Sequence, residues 1–185
     1  MRRGDPANVR KGRVTIGLYN SYDPSKFMEA HRRALARAGP LALAFDANLA
    51  LFGFPFPDGP GTPVELAEWV AGTTSIGGHG DYLMKLAEKG RFQSFPYPNK
   101  GFPPQLGVPI LTTSKPDPKK RVPVDHVREM ICGSESILLI FGLGPHGVPK
   151  DVAGIPKYHL DITGGQYSLE TCTALGAVMG ALYHM

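Results

Sequence analysis

The sequence predicts an α/β protein whose mainly parallel sheet is flanked by helices. Short apolar runs rich in Val, Ile, Leu and Phe alternate along the chain with longer stretches whose apolar residues recur near a period of 3.6. Glycine and proline (23 and 18 of 185 residues) gather between them, as tight connections require. The clearest run, SILLIF, is apolar throughout, as in a parallel strand covered on both faces.

The elements follow in order. RVTIGLY (13–19) has strand composition and follows a basic tail over residues 1–12. Residues 23–39 are predicted as a helix: Asp23 can cap it, Pro24 suits its first turn, Phe27, Ala30, Ala34, Leu35 and Ala38 form its apolar face, and Gly39 can end it. LALAF (41–45) is predicted as a short buried strand and 54–63 as a loop. Thr62 and Pro63 open a helix over 64–72, and a third helix over 81–90 ends at Gly90. Residues 94–107 hold four prolines, which bars a central strand or a helix. VPILTT (108–113) is a strand, SKPDPKKR a basic loop and 122–131 a helix. SILLIF (136–141) and KYHLDI (157–162) are strands, and 168–184 forms a final apolar helix.

With 42% apolar and 19% charged residues, the chain has ordinary globular composition. A single domain of this length buries roughly 70% of its unfolded surface. Net charge is +4, concentrated in residues 1–13 (Arg2, Arg3, Arg10, Lys11 and Arg13 against Asp5) and 115–121 (Lys115, Lys119, Lys120 and Arg121 against Asp117). Clustered cations suit a phosphate backbone, and a solvated tail and loop are the plain alternative. Cys132 and Cys172 sit among apolar or small residues and read as core thiols, without the spacing of a disulfide framework or zinc site. The six histidines include no i,i+4 pair, so no metal site is expected. No signal peptide or membrane span is visible, which suggests a cytoplasmic protein.

SILLIF runs into GLGPHG, with Gly142, Gly144 and Gly147, and Asp161 follows at the end of the next strand. This imitates a dinucleotide-binding fingerprint. A parallel crossover needs about a dozen residues or more. Only VPKDVAGIP separates Gly147 from Lys157, and Pro149 can begin no more than one turn before Gly154 and Pro156 stop it. A Rossmann-type nucleotide-binding enzyme is therefore disfavoured.

A buried strand, a glycine-proline loop, a very short link, a second strand, a polar glycine loop and a helix opening on Glu-Thr resemble the C-terminal segment of SPOUT methyltransferases. The matching residues are Gly144, Pro145, His146 and Gly147, then Leu169, Glu170, Thr171 and Cys172. His146 stands where many members carry glutamate, and Cys172 where alanine is common. The specific match spans about 136–185, with a weaker one at VPILTTSKP, and the whole chain looks like an uncharacterised archaeal branch of the superfamily. The resemblance implies one SPOUT-like domain over 1–185, with a trefoil-knotted half over about 108–185 that binds S-adenosylmethionine. It also implies methyl transfer to tRNA or rRNA and a homodimer through the C-terminal helix, where Cys172, Gly176 and Gly180 make a small-residue row. A noncatalytic RNA- or cofactor-binding relative is the alternative.

Three loops, Thr112–Ser114, Gly142–Gly147 and Thr163–Ser168, follow three strands, where ligands of open α/β sheets sit. Thr112, Thr113, Gly142, Leu143, Gly144, Gly147, Leu160, Ile162, Gly164, Gly165, Ser168 and Leu169 are the expected cofactor residues. Where the acceptor must lose a proton, Asp161, His146 and His79 are candidate bases. Asp161 leads, with loop capping an equal reading. Glu170 is expected to hydrogen-bond near its helix start or orient the pocket, unless Ser168 provides the cap. His79, in the loop 72–81, reads as part of a connector. Phe95, Tyr97 and Phe102, beside Asn99 and Lys100, could stack on bases or anchor an irregular loop, and anchoring is favoured.

Overall fold

The computed structural model describes residues 11–56, 61–72 and 77–183. Arg2, Arg3 and Arg10 of the basic tail, part of the 54–63 loop, residues 73–76 and His184 lie outside them. Seven strands form one sheet: β1 (Val14–Asn20), β2 (Asn48–Phe52), β3 (Phe92–Phe95), β4 (Val108–Thr112), β5 (Arg121–Val122), β6 (Ile137–Leu143) and β7 (Tyr158–Leu160). Their spatial order is β3-β2-β1-β6-β4-β7-β5, and every paired neighbour runs parallel.

The strands alternate between two cores. Ile16 and Leu18 of β1, Leu49 and Leu51 of β2 and Leu139 and Phe141 of β6 join one core. Tyr19, Phe52, Leu138 and Ile140, one residue out of step, join the other. Burial on both faces explains the unbroken apolar runs. The first core is covered by α1 (Glu29–Ala44), α2 (Pro63–Ala71), α3 (Gly80–Glu88), α4 (Val124–Cys132) and α6 (Thr171–Tyr183). The second is covered by the proline-rich 94–107 stretch and the single-turn α5 (Lys150–Ala153).

The crossover from β6 to β7 is thus one turn, N-capped by Pro149 and stopped at Gly154. It passes over β4, and β7 takes the position between β4 and β5. The chain therefore reaches β7 on the face of the second core and leaves it towards α6 on the face of the first. The 113–120 loop joins the two strands on either side. Pro109 is tolerated in β4 because its missing donor would point towards β7, whose pairing begins only opposite Ile110.

Several expectations need correction. LALAF is not a strand: α1 runs through Gly39 and Pro40 to Ala44, and the adjacent strand is β2, four residues beyond. Asp23 does not cap α1; its carboxylate closes an Asx-turn on the Ser25 amide (2.9 Å). The cap interaction comes from His31, whose Nδ1 accepts the Met28 N–H at 2.9 Å. Residues 94 and 95 end β3, an edge strand free of proline, and Arg121–Val122 form a strand rather than loop and helix. Cys132 is exposed at the end of α4 and Cys172 is only partly buried, so neither is a core thiol. Thr62 does cap α2, with Glu65 completing the capping box. Among the described residues no helix is long and apolar enough to cross a membrane.

Candidate functional site

The carboxyl ends of β6, β4 and β7 lie side by side, so their three loops open into one cleft of about 1380 Å³. Thr112 and Thr113, Gly142 to Gly147, Leu160, Ile162, Ser168 and Leu169 all line it. Gly164 and Gly165 do not; they turn the third loop, which passes close to the Ser114 carbonyl and Asp161. His146, Asp161 and Glu170 line the cleft as well, whereas His79 lies away from it.

Hydrogen bonds fix the loops to one another. The Thr112 hydroxyl donates to the Ile140 carbonyl (2.8 Å), tying β4 to β6. The Thr113 N–H donates to Leu160 O (3.0 Å), and its hydroxyl oxygen accepts from the Lys115 N–H (3.1 Å). The Thr171 hydroxyl donates to Gly142 O (2.8 Å), and Ser21 donates twice to Leu143 O, through its amide (3.0 Å) and hydroxyl (2.8 Å). At Gly142 the β6 loop folds back so closely that a Cβ would come within 2.8 Å of the Gly147 Cα. Only glycine allows that turn.

The acidic candidates have structural partners. Asp161 Oδ1 accepts from the Thr163 amide (2.8 Å) and hydroxyl (2.9 Å), and Oδ2 pairs with Arg121 at 3.3 Å. Its side chain is 1% exposed, so the carboxylate clamps the third loop. Glu170 Oε2 accepts from the Cys172 and Thr173 amides (2.9 and 3.2 Å). Glu170, not Ser168, therefore caps α6. His146 is exposed on the loop crest and makes no hydrogen bond to a described residue. Burial pushes the Cys172 thiol upward, with Arg37 within 3.7 Å opposing, so it is no ready nucleophile.

Some cleft residues were not anticipated. Glu29, Arg33 and Arg37 face it from α1. Their four-residue spacing on one helix face was a readable signal. His159, buried in β7, joins two lips of the cleft: its Nδ1 accepts the Asp117 N–H and its Nε2–H donates to Ala153 O, both at 3.0 Å. Lys120 extends this clasp by donating to the carbonyls of Gly154 and Pro156. Of the loop's four cations, Lys120 is thus structural and Arg121 is paired with Asp161, while Lys115 and Lys119 are exposed and form no ion pair with a described residue. Among the described residues no three His, Cys, Asp or Glu side chains converge as a metal site would need.

A second pocket of about 400 Å³ adjoins the cleft at the end of β1, with Tyr22, His146 and Gly147 in both walls. Phe95 and Phe102 pack on Phe52 (5.6 and 5.1 Å between ring centres), so they anchor the 94–107 stretch, but Tyr97 lines this pocket beside Tyr19. Burial raises the pKa of both phenols.

The family model described as "Protein of unknown function (DUF531)" matches residues 14–183. The chain belongs to the DUF531 family. A relative, the uncharacterized protein MJ0224 of Methanocaldococcus jannaschii, is 44% identical over 172 residues, covering 92% of this chain and 94% of its own. Among solved structures, a probable methyltransferase from Bordetella pertussis superposes with a TM-score of 0.59 at 12% identity, covering 92% of this DUF531 chain and 94% of its own. The SpoU methyltransferase AviRb from Streptomyces viridochromogenes, in complex with AdoMet, gives 0.54 at 14% identity over 98% and 62%. A structure titled for the 2-OH methylation of C/U34 on tRNA gives 0.54 at 15% identity over 93% and 95%. At these identities the likeness is one of fold, and it matches the parallel sheet with flanking helices in this DUF531 member.

Proposed function

We propose that this chain is an S-adenosylmethionine-dependent methyltransferase acting on RNA, at a nucleoside of tRNA or rRNA in the cytoplasm. The observation that carries the reading is the meeting of three strand-end loops in one cleft, in a fold shared with a SpoU methyltransferase in complex with AdoMet. The residues suit that cofactor. Leu111, Leu143, Leu160 and Ile162 offer apolar surface to an adenine ring, and the Gly142–Gly147 backbone allows close polar contact. The volume exceeds the roughly 300–1,000 Å³ of ordinary ligand pockets, which leaves space for a second reactant.

When bound, the cofactor supplies a methyl group activated by its sulfonium. The chain's own task is to hold the acceptor in line and exclude water. Arg37, Lys115 and Lys150 place positive charge along the cleft for a phosphate backbone, beside Arg33, which is paired with Glu29 at 3.3 Å. An acceptor proton, where one must leave, goes to His146, the cleft candidate whose ring nitrogens make no hydrogen bond to a described residue. The route into β7 on one face and out to α6 on the other, between strands already joined by the 113–120 loop, supports a threaded, trefoil-knotted C-terminal half. Thr173, Gly176 and Ala177 form an exposed strip on α6, and a Cβ on Gly176 or Gly180 would meet nothing within 4 Å; this open small-residue surface, on which a second copy of the chain could pack closely, supports the homodimer.

The structural engagement of Asp161 and Glu170 gives one specific reason to keep the noncatalytic relative as a second reading. Titration calorimetry with adenosylhomocysteine is expected to give a Kd of about 1–100 µM, or roughly 5.5–8 kcal/mol. Ser168→Trp, an exposed substitution at the cleft, is expected to abolish it. Transfer of labelled methyl to RNA supports the enzyme. Binding of cofactor and RNA without transfer to any RNA pool supports the relative, and tight NADH or ATP binding with no adenosylhomocysteine binding defeats both.

A further inference from the structure

We propose that the 400 Å³ pocket at the end of β1 receives an unpaired nucleoside of the acceptor RNA, an assignment that rests on the methyltransferase reading. Its walls include Tyr19, Asn20, Tyr22, Tyr97, His146 and Pro149, and none of its lining residues is Lys, Arg, Asp or Glu. A pocket of tyrosines without formal charge suits a planar, neutral base. The cations that suit phosphates lie in the neighbouring cleft. Unpaired RNA bases are commonly recognised by aromatic stacking combined with hydrogen bonds to base edges.

The walls are pre-set. Asn20 is buried, and its Nδ2 donates to Gly53 O (2.9 Å) and to the Tyr97 hydroxyl oxygen (3.1 Å). Its Oδ1 accepts the Tyr22 N–H (3.0 Å) and the Nε2–H of fully buried His31 (2.9 Å). The Tyr97 ring lies against Gly53, and the Tyr19 and Tyr97 rings meet at 56° with centres 5.4 Å apart. Because Tyr97 oxygen accepts from Asn20, its own proton remains available to a ligand. Tyr19 is 4% exposed, yet its hydroxyl makes no hydrogen bond to a described residue and its ring lines the pocket. The hydroxyl oxygen itself touches solvent, so a ligand entering the pocket can reach it and bond it in place of water. His146 stands on the boundary with the cleft, where a nucleoside held here would meet the methyl donor.

The test uses the whole chain saturated with adenosylhomocysteine and labelled at its tyrosine rings. Single-stranded oligo(U), oligo(C), oligo(A) and oligo(G) are added in turn, followed by the oligo(A)·oligo(U) duplex. The Tyr19 and Tyr97 ring signals are expected to move with at least one single strand and not with the duplex. Tyr97→Ala is expected to weaken that strand roughly ten- to a hundredfold, the range for losing one stacked base, with adenosylhomocysteine affinity unchanged. Tyr19→Phe keeps the ring, removes a hydroxyl with no hydrogen-bond partner among the described residues, and is expected to weaken the strand severalfold without altering Tm. Ring signals unmoved by all four strands, with both variants binding RNA as wild type, overturn the assignment even where the cofactor binds. Moving ring signals without adenosylhomocysteine binding support the nucleoside pocket and refute the cofactor reading alone.

Discussion

Replacing His159 with leucine removes the clasp across β7 while nearly preserving side-chain volume. His159 is 5% exposed and bonds the Asp117 amide and the Ala153 carbonyl, both at 3.0 Å. A hydrogen bond contributes about 0.5–1.5 kcal/mol net, and a buried group left unpaired costs about 1–3 kcal/mol. Asp117 is exposed, so its amide regains water; Ala153 is partly buried and regains less. The expected loss is therefore about 2–3 kcal/mol, with little added for a cavity because the volumes are close. Urea unfolding followed by circular dichroism should show a lower midpoint at unchanged slope. Because the clasp also holds the 113–120 loop against α5, adenosylhomocysteine affinity should fall in the folded variant. A stability change under about 0.5 kcal/mol, with affinity intact, would refute the idea that this histidine organises the cleft.

Gly142→Ala forces a Cβ into the Gly147 backbone and is expected to cost roughly 1–3 kcal/mol and to weaken cofactor binding, as calorimetry would show. His31 lies fully buried, and burial, with Arg32 adding, holds its pKa below the ordinary 6.5. The unfolded chain then binds the extra proton more readily, so this contribution to stability is complete above pH 6.5 and is lost as pH falls below it towards the folded pKa. His31→Gln should flatten the acid side of the Tm profile, and an unchanged profile would exclude His31 as its source. Lys115→Gln with Lys119→Gln should lower the slope of log K against log salt for single-stranded RNA by about 1–2, since each lost phosphate contact removes roughly 0.7. Lys120→Met should instead lower stability through the Gly154 and Pro156 carbonyls.

The central sheet was legible because β1 and β6 are buried on both faces and so read as apolar throughout. The helices α2 and α3 were legible for a different reason: their ends carry local signals, the Thr62–Glu65 box and Gly90. The α1–β2 region misled because Gly39 and Pro40 are strong local stop signals, yet α1 begins at Glu29 and passes through both. There tertiary packing overrides propensity: Gly39 sits buried against Leu83 of α3. The two residues of β5 carry no periodicity at all, and their partners in β7 lie 38 residues away. The site was legible where glycine loops end apolar strands. The contribution of α1 was missed because only its apolar face was followed, whereas loop capping by Asp161 and hydrogen bonding by Glu170 at the start of α6 were both among the readings that their positions beside loop and helix-start amides allowed.

The position of β7 between β4 and β5 also bears on how the chain is made. Both neighbours precede β7 in sequence, so a nascent chain without residues 158–160 leaves the β4 edge of the sheet unpaired and β5 without the strand it pairs with. Unpaired edges invite association with other chains. Chains cut short before Tyr158 should therefore aggregate rather than persist as smaller folded proteins.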